Sequence, residues 1–80
     1  MFIEVYEQAA VTLMNLNSGT SLKLSYSSNF DRYQVYFYGA DTGITLYYKK
    51  EKGPAEEIYA KVRSKWVGND YVEVIHNQAE

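Results

Sequence analysis

Cysteine is missing from this chain altogether. That excludes disulfides and thiolate metal ligands, so packing, hydrogen bonding or self-association has to stabilise the fold. Histidine is scarce as well, His76 being the single copy. A serine or cysteine triad would have to use it as its base, and it stands close to the C-terminus, where chains usually fray. A zinc site would need several nitrogen or sulfur ligands. No apolar run approaches the roughly 20 residues that a membrane-spanning helix requires. A basic leader is absent too: the first lysine is Lys23, and Glu4 and Glu7 interrupt the apolar pattern ahead of it. Neither a secretory signal nor an organelle-targeting peptide fits that stretch. These absences describe a cytoplasmic, non-enzymatic protein without metal or cofactor.

The 80 residues form one domain, residues 1–80, near the lower size at which a hydrophobic core alone offsets chain entropy. The formal net charge of -2 argues against a protein whose main task is to neutralise nucleic-acid phosphates. The charge is unevenly spread, however. Lys49, Lys50, Lys52, Lys61, Arg63 and Lys65 fall close together against Glu51, Glu56 and Glu57, and exposed lysines of this kind ordinarily form a solvated face. Asp31, Asp41, Asp70 and Glu73 are scattered singly, which does not suit a calcium or magnesium site. The run Gly39-Ala40-Asp41-Thr42-Gly43 has the glycines of an anion-binding loop, but a strand rather than a helix follows it and the Walker lysine is lacking, so it reads as a hairpin turn.

What the chain has in quantity is tyrosine, with 9 copies. Most lie in three segments of period-two alternation. In Ser21 to Tyr26, Leu22, Leu24 and Tyr26 share a face; in Tyr33 to Tyr38, Tyr33, Val35 and Phe37 oppose Gln34, Tyr36 and Tyr38; in Ile44 to Lys49, Ile44, Leu46 and Tyr48 oppose Thr45, Tyr47 and Lys49. Short connections rich in turn residues make these a meander of antiparallel strands. Before them, Phe2, Val5, Tyr6, Ala9, Leu13 and Leu16 fall in one stripe at helical spacing, and no glycine, proline or turn pair interrupts the run before Asn17, so the pattern predicts a first helix ending at Asn17-Ser18-Gly19. Ile3, Ala10 and Met14 would lie together on its flank, either widening the buried face or meeting a second copy of the chain. After the charged loop at Lys49 to Gly53, Pro54 opens a second helix with Ala55, Ile58, Tyr59, Val62 and Trp66 on its apolar face, Glu56 and Glu57 in its first turn and Gly68 as its cap. Tyr71 to His76 forms a last strand with Val72 and Val74 inward and Glu73 outward.

The expected fold is therefore α+β, in the order αβββαβ: a small antiparallel or mixed sheet of about four strands with both helices on one face. The last strand would pair beside the first or the third strand of the meander. Tyr6, Tyr26, Tyr33, Tyr48 and Tyr59 would then lie beneath the helices, while Tyr36, Tyr38, Tyr47 and Tyr71 would project from the opposite face with Lys23 and Lys49 at the rim. Tyrosine gives rigid contact area at low entropic cost and is enriched at interface hot spots. Those six residues are the candidate partner-binding site. In size and composition the whole chain resembles the small accessory proteins of bacteriophages and mobile elements, some of which inhibit host enzymes or defence systems such as CRISPR nucleases. That resemblance implies a host or defence protein as partner. Two alternatives are single-stranded nucleic acid stacked on the same tyrosines, with Lys23, Lys49, Lys50 and Lys52 near the phosphates, and a self-associating structural subunit such as a homodimer.

Overall fold

A computed structural model describes residues 1–39 and 41–77; Ala40, inside the expected turn at 39–43, and residues 78–80 lie outside the described residues. The elements are β1 (Phe2–Glu7), β2 (Ala10–Asn15), β3 (Thr20–Ser27), β4 (Arg32–Tyr38), β5 (Gly43–Lys49), α1 (Lys52–Val67) and β6 (Val72–His76). They build one 6-stranded sheet in the order β5-β4-β3-β2-β1-β6. All neighbours are antiparallel except β6, which runs parallel to β1. The class is α+β, as the sequence indicates, but the expected first helix is two strands and the sheet is correspondingly wider.

The expected helix at Phe2 to Asn17 is instead the β1–β2 hairpin, paired from Phe2↔Asn15 to Glu7↔Ala10. Phe2, Ile3, Val5, Tyr6, Val11 and Thr12 are residues that suit a pleated, half-buried surface. The two-residue turn at Gln8-Ala9 uses no positive φ; among described non-glycine residues only Asp31 does. It therefore lacks the backbone form that makes a short hairpin turn self-sufficient. Its support comes from outside, because the Tyr26 N–H donates to the Ala9 carbonyl at 2.9 Å. Tertiary pairing with β3 overrides the missing turn signal.

Cross-strand partners share a face, so the register sorts the side chains into rows. On the helix side one row reads Val74, Glu4, Leu13, Leu22, Phe37, Ile44, and the next reads His76, Tyr6, Val11, Leu24, Val35, Tyr47. Leu13, Leu22 and Val35 are fully buried there, with Phe2, Val11, Ala55, Tyr59 and Val67 completing the core. The inward placement of Val72 and Val74 and the outward placement of Glu73 agree with the sequence pattern. β6 lies beside β1, however, not beside β3 or β5, because the residues of β1 are available as a sheet edge.

Helix α1 carries the chain from the β5 edge to the β6 edge. Its 16 residues give a rod of about 24 Å, which matches the width of about 24 Å spanned by five interstrand steps. Gly68 acts as expected, taking φ 60° while its N–H donates to the Ser64 carbonyl; Pro54, expected to open the helix, is instead its third residue, still within the first turn where a missing N–H is tolerated. The helix begins two residues before Pro54, which moves Glu56 and Glu57 out of the first turn. Trp66 packs edge-on against Phe2 and Phe37, each at 5.1 Å between ring centroids. Because α1 runs across the strands, its diameter of about 10 Å covers only part of their length, roughly 17–26 Å for strands of this size, and part of the helix-side face stays open.

Candidate functional site

The face opposite α1 carries no covering layer among the described residues. Its rows read Glu73, Ile3, Met14, Ser21, Tyr38 and Ile75, Val5, Thr12, Lys23, Tyr36, Thr45, followed by Glu7, Ala10, Ser25, Gln34, Tyr48. The apolar residues are polarised. Aliphatic side chains gather over β6, β1 and β2, tyrosines over β4 and β5, and a polar band with Lys23 separates them. Ile3, Ala10 and Met14 do share a face, as expected, but it is this sheet face and not a helix flank.

Of the sequence-derived candidates, Tyr36, Tyr38 and Lys23 lie together here. The Tyr36 and Tyr38 rings meet at 4.5 Å, and Lys23 stands directly opposite Tyr36. Tyr38 is 45% exposed. Tyr36 is half-buried and lies across Gly43, where any Cβ would overlap its ring; an aromatic ring covering an edge glycine is a known way to complete a sheet surface.

Tyr47 and Lys49 do not belong to this face. The β4–β5 register shifts between Val35 and Tyr36: Val35 pairs with Tyr47 but Tyr36 pairs with Thr45, leaving Leu46 as an extra residue. Such a bulge reverses the alternation on one side of it. Tyr47 therefore packs against the core and donates its hydroxyl to the Glu51 carbonyl at 3.0 Å, and Lys49 lies opposite Tyr33 on the helix side. Tyr48, expected inward, is the ring that comes outward, at 49% exposure and opposite Gln34. Tyr71 is 79% exposed but precedes β6, at the far edge of the sheet from β4 and β5, so it is not part of the cluster.

A second constellation lies under the helix and had no signal in the sequence beyond a carboxylate in an apolar alternation. Glu4 is buried, its side chain only 2% exposed. Tyr59 Oη donates to Oε2 at 2.6 Å, Arg63 donates through Nε to Oε2 at 2.8 Å and through Nη2 to Oε1 at 3.0 Å, and Tyr6 Oη donates to Oε1 at 3.4 Å. Burial alone would raise this carboxyl; the hydrogen bonds from Arg63 and Tyr59 and the Arg63 charge outweigh it and hold the group below its ordinary 4.5. Burial, together with the bond to Glu4, pushes the Tyr59 hydroxyl well above its usual range. With every acceptor position engaged, the carboxylate is committed to fastening α1 to β1 and is not free for acid–base work.

Among the described residues no three histidine, aspartate or glutamate side chains gather as a metal site, and no helix is long and apolar enough to cross a membrane. His76 stacks on Tyr6 at 5.1 Å, within the sheet. Compared with models of protein families, with curated proteins and with solved structures, the chain matches none.

Proposed function

We propose that the protein is a non-enzymatic binding module that docks a partner protein on the uncovered sheet face, with Tyr38 and Tyr48 as anchors, Tyr36 as a fixed platform between them and Lys23 at the rim. The observation that carries this reading is the extent of that face: among the described residues a whole side of the sheet lacks a second layer, and its apolar side chains are ordered by cross-strand packing before any partner arrives. Preordered rings lose little entropy on binding. A small accessory protein that inhibits a host or defence factor would act in this way, by covering a site on its target.

The charge of the face favours protein over single-stranded nucleic acid. Lys23 and Arg32 are balanced there by Glu7 and Glu73, and Lys49, one of the cations that phosphate binding would need, lies on the other side. A stacking platform for nucleic acid needs cations along the backbone track as well as rings.

The test is affinity capture from native host lysate by the wild-type protein and by a Tyr38→Ser/Tyr48→Ser variant, each with and without nuclease. A protein retained by the wild type, resistant to nuclease and lost with the variant is the expected result. Retention that nuclease abolishes, or that the variant leaves unchanged, overturns the proposal. Light scattering on the free protein identifies the case in which the retained partner is a second copy of the chain.

A further inference from the structure

On the helix side the sheet extends past the reach of α1, and there Tyr26 and Tyr33 form a further row opposite the β1–β2 turn. The sequence places both rings beneath a helix; with the first helix replaced by strands, they line a cleft of about 350 Å³ instead. Tyr6 forms one wall, the Tyr26–Tyr33 pair at 4.7 Å between centroids forms the other, and Val11 and Leu24 make the floor. The gap between the walls exists because Ala9, the residue facing Tyr26 across the turn, is small. Clefts of a few hundred Å³ lined by aromatic residues are where small ligands bind.

The chemistry of the walls selects the ligand. Tyr6 donates its hydroxyl to Glu4, and Tyr26 donates its hydroxyl to Asp31 at 2.8 Å. A phenol that donates to a carboxylate carries a more electron-rich ring, and ring faces attract cations. Glu56 stands at the rim, whereas the Glu7 carboxylate belongs to the opposite sheet face. Among the described residues the one cation lining the cleft, Lys52, is held only by a 3.8 Å contact with Glu56, both side chains being more than half exposed. Anionic ligands such as phosphates meet no committed cation among the lining residues, whereas a positively charged organic group finds three rings and the Glu56 carboxylate.

We infer that this cleft binds a quaternary ammonium group, seated between Tyr6 and the Tyr26–Tyr33 pair. The site is on the opposite face from the proposed docking surface and stands or falls independently of it. Lys52 is its built-in competitor, because its ammonium shares Glu56 with the incoming cation.

The experiment is an NMR titration of the folded protein, following the tyrosine ring resonances, with choline, with acetylated trimethyllysine amide, and with the uncharged tert-butyl isostere of each. The cations should bind about 2- to 30-fold more tightly than their isosteres, the range that cation–π contacts give between exposed and desolvated settings. The tighter of the two cations identifies whether a free small molecule or a side chain is the natural occupant. Lys52→Gln should strengthen binding by removing the competitor, whereas an anion-binding cleft would lose affinity. Ala9→Leu should fill the cleft and abolish binding, and because Ala9 is exposed in its turn, an unchanged melting curve verifies that the fold is intact. Equal affinity for cation and isostere, weaker binding by Lys52→Gln, or binding that survives Ala9→Leu would each overturn the inference.

Discussion

Replacing Arg63 with Met is the substitution that most directly probes how the helix is held. It removes two of the four hydrogen bonds that the described residues make to the Glu4 carboxylate, together with its ion-pair partner, leaving the Tyr59 bond at 2.6 Å and the longer Tyr6 bond. Breaking a buried pair from one side costs about 3–5 kcal/mol, because the remaining charge stays desolvated. The surviving phenol donors place this case near the lower end. A domain of this size has only about 4–12 kcal/mol of total stability, so a loss of about 3 kcal/mol lowers the melting temperature by about 12–24 °C. The pH dependence should change sign as well. In the wild type the folded carboxyl titrates below its ordinary 4.5, so its stabilisation is present above that value and is lost as pH falls through the folded pKa. In Arg63→Met, burial is opposed by the phenols alone and the folded pKa rises; the unfolded chain then deprotonates first, and stability falls as pH increases above about 4.5. Urea melts followed by Trp66 fluorescence between pH 3.5 and 7 read both effects. A loss below about 1 kcal/mol, as for an exposed pair, with an unchanged acid limb, would refute the claim that Glu4 is desolvated. Adding Glu4→Leu to Arg63→Met should recover part of the loss, since it removes the stranded charge and leaves only neutral hydroxyls, those of Tyr59 and the more accessible Tyr6, without their acceptor.

Two further substitutions test the core and the strand parity. Trp66→Ala removes a half-buried ring that meets Phe2 and Phe37 edge-on, and urea melts should show a loss near the lower end of about 3–5 kcal/mol. Tyr47→Ser should cost about 2 kcal/mol or more because that ring packs on the core, whereas Tyr48→Ser on the open face should stay within about 0.5 kcal/mol of the wild type; the reverse ranking would put the bulge elsewhere.

Where the sequence was legible, several independent local signals agreed. Helix α1 has a proline in its first turn, an apolar stripe through Ala55, Tyr59 and Trp66, and a glycine at the one position beyond its end that takes positive φ. Strands β3, β4 and β6 alternate cleanly. The β1–β2 hairpin was not legible because Phe2, Tyr6 and Leu13 satisfy a helical stripe as well as a strand face, and the deciding feature is a bond from Tyr26 to the carbonyl of Ala9, well separated in sequence. The same error hid the cleft, since Tyr26 and Tyr33 are uncovered only if the first helix does not exist. In β5 the segment was legible but its parity was not. Leu46 is absorbed as a bulge through its pairing with β4, and no residue in Ile44 to Lys49 announces that, so Tyr47 and Tyr48 exchanged faces.

The position of α1 is itself something the apolar contacts do not determine. The rows beneath it, Leu13-Leu22 and Val11-Leu24, offer similar aliphatic surfaces side by side, and a helix crossing them could settle one row further toward Tyr26 with little change in buried area. A carboxylate on β1 that accepts from both Tyr59 and Arg63 has no equivalent in the neighbouring row, where the corresponding positions are Tyr6 and Val11. Buried ion pairs contribute little net stability but can fix one arrangement among near-equals. On this hypothesis Glu4 sets the register of the helix, and the cleft beside Tyr26 stays open because the helix is held away from it. The Glu4→Leu/Arg63→Met variant separates the two contributions: its stability should partly recover while its affinity for choline does not, because an unanchored helix is free to cover the rings. Recovery of both would show that packing alone positions α1.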